Sequence, residues 1–283
     1  MRWSKGRRSD NIEDRRGMRV SRGMVGGGVG TLIMVLVALY FGVDPTIILQ
    51  QAPPVTGPPA GASREARPTE ENRLADFVSV VLADTEDTWN DLFRRGGKTY
   101  REPRLILFTD AVESACGYAE SAVGPFYCAR DEKVYIDLGF FREMQDRFHA
   151  PGDFAQAYVI AHEIGHHVQN LLGISEKVQN ARARAGQVEG NRISVRLELQ
   201  ADCLAGVWAY HANRMRDIIE EGDVEEALGA ASAIGDDRLQ RQSQGFVVPD
   251  AFTHGTSEQR VRWFRRGLQS GEVNLCNTFQ EAG

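Results

Sequence analysis

Between residues 74 and 92 the apolar side chains Leu74, Phe77, Val78, Val81, Trp89 and Leu92 fall three or four positions apart through most of the stretch. That period predicts a long helix with one buried face, ended by the Gly96–Gly97 pair. The period then shortens. RLILF at 104–108 and VYIDL at 134–138 are compact β-type runs, separated by a segment with Gly, Pro and two cysteines. From about Asp153 the helical period returns and holds almost to the end, with breaks expected at Gly173, around Gly190, near Gly222, around Gly235 and at the Pro-Asp pair 249–250. A last helix opens at Thr256, where Gln259 three positions on completes a capping box. The expected fold class is α+β and mainly helical, with a small β layer beside a helical body.

One stretch departs from this amphipathic pattern. Residues 24–43, MVGGGVGTLIMVLVALYFGV, carry no charge over a length that at helical rise crosses roughly 30 Å of hydrocarbon. A cleaved signal peptide is the rival reading, but no small-residue cleavage site follows closely. Before the run stand Arg2, Lys5, Arg7, Arg8, Arg15, Arg16, Arg19 and Arg22 against Asp10, Glu13 and Asp14. By the positive-inside rule this predicts a basic cytoplasmic tail at 1–23, a single transmembrane helix at 24–43, a Pro/Gly/Ala-rich linker at 44–68 and a periplasmic or extracellular domain at 69–283.

At 42% apolar and 25% charged residues the chain is globular in composition. Its net charge of −6 leaves the body beyond the N-terminus acidic, and no basic stripe interleaves with aromatics, so nucleic-acid binding is excluded as a function class. The four cysteines form no CxxC pair, and an even count on the outer side of a membrane suggests disulfides, Cys116 with Cys128 and Cys203 with Cys276, against the alternative of four buried thiols.

The chemistry concentrates at 162–166, HEIGH. On a helix His162 and His166 lie one above the other and can aim ring nitrogens at one Zn²⁺, while Glu163 sits beside the metal where a general base belongs. Gly165 clears room for something to approach closely. The extended HExxHxxGxxH pattern fails, because Gln169 and Leu172 occupy its glycine and third-histidine positions. Downstream, ELQADC places Glu198 and Asp202 four apart at the margin of an apolar helical face. Glu198 as third ligand, with Asp202 accepting the free ring N–H of a ligand histidine, completes a catalytic zinc set with one open position. The alternative for these carboxylates is a solvated acidic face.

HEIGHHVQN followed by ELQADCLAGVWA resembles the bacterial membrane-anchored neutral zinc metallopeptidases and, more broadly, the gluzincins. GPFYC at 124–128, VYIDLGFF at 134–141, GDDRLQ at 235–240 and VVPDAFTHGTSEQRVRWF at 247–264 fit the same family. The resemblance implies a zincin-like domain, zinc held by His162, His166 and Glu198, Glu163 as catalytic base, and a peptide or protein substrate. A transition-state donor is also expected: His254 is the first candidate, Tyr210 and His211 the others. His167 is read as lying behind the ligands or at the surface. The VYIDL strand is a candidate partner for an extended peptide. The alternative of another class is a non-hydrolytic envelope module in which zinc only holds the fold.

Overall fold

The computed structural model describes residues 1–18, 69–120 and 124–280. Its elements in chain order are β1 (Ile12–Asp14), α1 (Thr69–Arg95), β2 (Arg104–Phe108), β3 (Ala111–Ser114), β4 (Gly117–Glu120), β5 (Phe126–Cys128), β6 (Lys133–Asp137), α2 (Gly139–Asp146), α3 (Asp153–Leu171), α4 (Ile174–Arg182), α5 (Gln187–Arg216), α6 (Asp223–Ala233), α7 (Asp236–Gln244) and α8 (Ser257–Ser270), with short 3₁₀ turns at Pro249–Ala251 and Val273–Cys276. The periodic stretches fold as expected, and the Thr256/Gln259 capping box is formed. One break moves. Gly190 lies inside the first turn of α5, and the chain turns instead at Gly186, whose extended backbone caps that helix.

The sheet runs β1-β2-β6-β5, with β1, β2 and β6 parallel and β5 antiparallel to β6; β3 and β4 form a separate hairpin. Because β6 is paired on both sides, VYIDL has no free edge for a peptide, and that expectation is corrected: among the described residues β5 is the open edge on that side.

Residues 1–16 are not a tail. They form one compact unit with residues 68–283. Ile12 to Asp14 pair in parallel with Leu105 to Leu107. The cations that suggested a cytoplasmic segment are matched by carboxylates: Arg8 pairs with Asp76, Arg7 with Glu86 and Asp87, and Arg16 with Asp14. The Met1 ammonium bridges Asp153 at 2.6 Å and Asp223 at 3.2 Å, tying the segment to the starts of α3 and α6. Residues 1–16 thus share one folded unit with the described residues from 69 onward. The expected span and linker lie outside the described residues, and no helix among the described residues is long and apolar enough to cross a membrane.

Two helix crossings set the body. A Cβ on Gly165 of α3 would stand 3.0 Å from the Ala201 carbonyl oxygen of α5, so the approach for which Gly165 makes room is that of the α5 backbone. On the other side of α5, Gly206 faces the Phe264 carbonyl of α8 and Gly267 faces the Cys203 carbonyl. Cys203 is bonded to Cys276 and Cys116 to Cys128, the two pairings expected. Any side chain at Gly267 meets backbone that cannot rotate away. Gly267→Ala is therefore expected to lower stability by about 1–3 kcal/mol or more, read as a shift in denaturant midpoint.

Candidate metal centre

The α3–α5 crossing places ELQADC against HEIGH. Nδ1 of His162 is 2.9 Å from Asp202 Oδ1, and Nδ1 of His166 is 2.9 Å from Gln169 Oε1. Carboxylate and amide oxygens accept, so each ring keeps a proton on Nδ1 and turns Nε2 toward Glu198. His162 Nε2 is 3.1 Å from Glu198 Oε2 and His166 Nε2 is 3.5 Å from Oε1. Ligands about 2 Å from a tetrahedral ion stand roughly 3.3 Å apart, so these separations and this N, N, O donor set fit zinc. The three side chains are largely buried.

Asp202 is wholly buried and fully satisfied. Its Oδ1 accepts from His162, from Tyr158 Oη at 2.5 Å and from Arg260 Nη2 at 2.9 Å, while Oδ2 accepts from Arg260 Nε at 2.9 Å. Arg260, from α8, is only 2% exposed. Burial pushes the Asp202 carboxyl up, but Arg260 and His162 outweigh it and hold it below the usual carboxylate range. Burial likewise opposes protonation of His162, yet Asp202 and Glu198 raise it to about 10. His166 is raised in the same way by Glu198, and burial of Glu198 is outweighed by the two rings, which lower it. A metal taken up at these nitrogens would have to displace protons, so its affinity would fall as pH falls.

The donors open into a cavity of about 390 Å³ that is also lined by Glu163, Tyr127, Arg260 and His254. Glu163 is 8% exposed, and no described residue hydrogen-bonds its carboxylate. His254 is half exposed, its Nδ1 3.1 Å from Asp236 Oδ1 at the start of α7. Asp236 Oδ2 also accepts the backbone N–H of Thr253, His254 and Gly255, which fixes the loop. The Asp236 hydrogen bond raises the His254 pKa; Asp236, despite burial, is lowered. Tyr210 and His211 do not reach this cavity: they line a separate hollow, where His211 donates to the Gly271 carbonyl. His167 is not at the surface; it is fully buried.

The residues missed by sequence reasoning are Gln169, Tyr158, Arg260 and Asp236. Gln169 and Tyr158 gave a local signal, as the residues three positions after His166 and four before His162 on the same helix; Arg260 and Asp236 gave none.

A family described as "Putative neutral zinc metallopeptidase" matches residues 1–279. The chain belongs to this family. The match begins at the first residue, in keeping with the packing of residues 1–16 on the domain. Among relatives, the uncharacterized protein YpfJ of Escherichia coli (strain K12) is 52% identical over 292 aligned residues that cover 99% of each chain. The uncharacterized protein Rv2575 of Mycobacterium tuberculosis (strain ATCC 25618 / H37Rv) is 40% identical over 261, covering 87% of this chain and 86% of its own. No solved structure matches. At family level the name supports a zinc-dependent peptidase.

Proposed function

We propose that the protein is a zinc-dependent peptidase, with zinc held by His162, His166 and Glu198 and with Glu163 as general base. One observation carries the reading: three donors lie within 4.8 Å of one another, while a carboxylate that no described residue hydrogen-bonds, one residue from a donor, lines the same cavity. A purely structural site needs no such base and usually closes its fourth position.

Bound zinc supplies Lewis acidity, which polarises a carbonyl and acidifies water. The chain's own residues do the rest. Asp202 and Gln169 keep the two rings in the tautomer that leaves Nε2 for the metal. Glu163 takes a proton from water on a carboxylate oxygen and passes it to the leaving nitrogen. His254, whose protonated form the Asp236 hydrogen bond favours, donates to the oxygen on which negative charge develops. A polypeptide reaches these groups by running along the open edge of β5, whose neighbours Gly124 and Pro125 also line the cavity.

The test is a digest. The zinc-loaded protein is expected to cleave casein, to stop on chelation and to recover with zinc. Glu198→Ala is expected to lose stoichiometric zinc and cleavage together, read by metal analysis. A protein that holds zinc and cleaves nothing would favour the interaction module.

The His254 role has its own check. The raised pKa means that the imidazolium persists above the ordinary histidine range and is lost as pH rises through the shifted value. Asp236→Asn removes the anion responsible, so the alkaline limb of the kcat/KM profile is expected to move to lower pH. An unmoved limb removes His254 from this step.

A further inference from the structure

Beyond the metal motif and Gln169, HEIGHHVQN holds two more polar residues, His167 and Asn170. His167 points away from the donors, toward the sheet. Its Nε2 lies 2.6 Å from the Arg101 carbonyl oxygen and its Nδ1 3.0 Å from Tyr127 Oη. A carbonyl only accepts, so the proton is on Nε2 and Nδ1 must accept from the phenol. Asn170 Nδ2 then donates to the same phenol oxygen at 3.1 Å. The Tyr127 hydroxyl is thus gripped on both sides by one face of α3.

Tyr127 is the middle residue of β5, the three-residue edge strand. Its ring also lines the cavity shared by His162, Glu163, His166 and Glu198. On one side β5 pairs with β6, and Cys128 ties its end to Cys116; among the described residues no strand lies on its other side. A strand this short is weakly fixed by its ladder alone. The grip on Tyr127 links it directly to the helix that carries the two histidine donors, so edge and donors move as one body.

We propose that His167 and Asn170 are positioning residues for substrate: by clamping the Tyr127 hydroxyl they hold the β5 edge in register with the metal donors, ready to pair with an extended polypeptide. The inference rests on the peptidase reading above. The phenol is not itself a transition-state donor, because its proton is already directed to His167.

The test compares Tyr127→Phe and Asn170→Ala with their parent, the full-length zinc-loaded Glu163→Gln protein, which is expected to bind polypeptide without cutting it. The probe is fluorescein-labelled oxidised insulin B chain, followed by anisotropy, alongside amide hydrogen exchange, metal analysis and a thermal midpoint. Tyr127→Phe should retain zinc, speed exchange across residues 124–128 and weaken probe binding by about tenfold, the scale of losing one or two neutral hydrogen bonds. Asn170→Ala should move both readouts the same way by less. A purely structural clamp would lower the thermal midpoint and leave probe affinity unchanged, and that result overturns the proposal. So does unchanged exchange at 124–128, or a parent that does not bind the probe. Digestion of casein by the wild-type protein keeps the two questions apart: cleavage with unaltered probe affinity in Tyr127→Phe sinks the clamp and leaves the peptidase standing.

Discussion

Glu163→Gln is expected to retain one zinc per chain and a wild-type thermal midpoint while losing peptide hydrolysis by about 10²–10⁴-fold in kcat, the usual contribution of a positioned general base. The substitution is nearly isosteric, and no described residue hydrogen-bonds this carboxylate, so no buried partner is left unsatisfied. The donors His162, His166 and Glu198 are untouched, which separates this variant from Glu198→Ala, where metal and activity fall together. Measuring zinc content and turnover on one preparation decides the matter. Undiminished turnover would show that proton transfer belongs to another group, and zinc lost along with turnover would show that Glu163 helps to hold the ion.

How much of this centre could be read from the chain depends on how far apart its parts lie. HEIGH and ELQADC are each legible because helical geometry fixes which side chains share a face within a turn or two. That the two helices meet at all rests on Gly165 against Ala201, where the chain signals room for an approach but not the identity of what approaches. Arg260 was invisible for a different reason: SEQRVRWFRR offers four arginines, and only the α8–α5 packing selects one of them for a wholly buried carboxylate. Asp236 looked like an ordinary acidic helix start. The N-terminus shows the limit most plainly. Eight cations ahead of an apolar run read naturally as an orientation signal, yet Arg7, Arg8 and Arg16 are paired with carboxylates on the folded unit. The partner of β1 is β2, some ninety residues further along the chain, and local periodicity carries no information about pairing at that distance.

Arg260→Met is expected to be the most destabilising single change near the site. Asp202 has no exposed surface, and among the described residues Arg260 is the only permanently charged group bonded to it. Removing one partner of a buried ion pair typically costs about 3–5 kcal/mol, because the remaining charge keeps its desolvation penalty without its compensation. The isolated carboxylate also holds the His162 proton more tightly, so zinc has more to displace and its affinity should fall with stability. A second substitution separates the ion pair from the packing. Asp202→Asn removes the charge but keeps an oxygen that Tyr158 and His162 can donate to, so the double variant should be more stable than Arg260→Met alone. A coupling energy of about 2 kcal/mol or more from the full cycle of chemical denaturations is expected for residues that share one hydrogen-bond network. If the two effects simply add, the carboxylate is stabilised by the tyrosine and histidine hydrogen bonds alone. Arg260 would then be a packing residue whose charge plays no part in arming His162 for the metal.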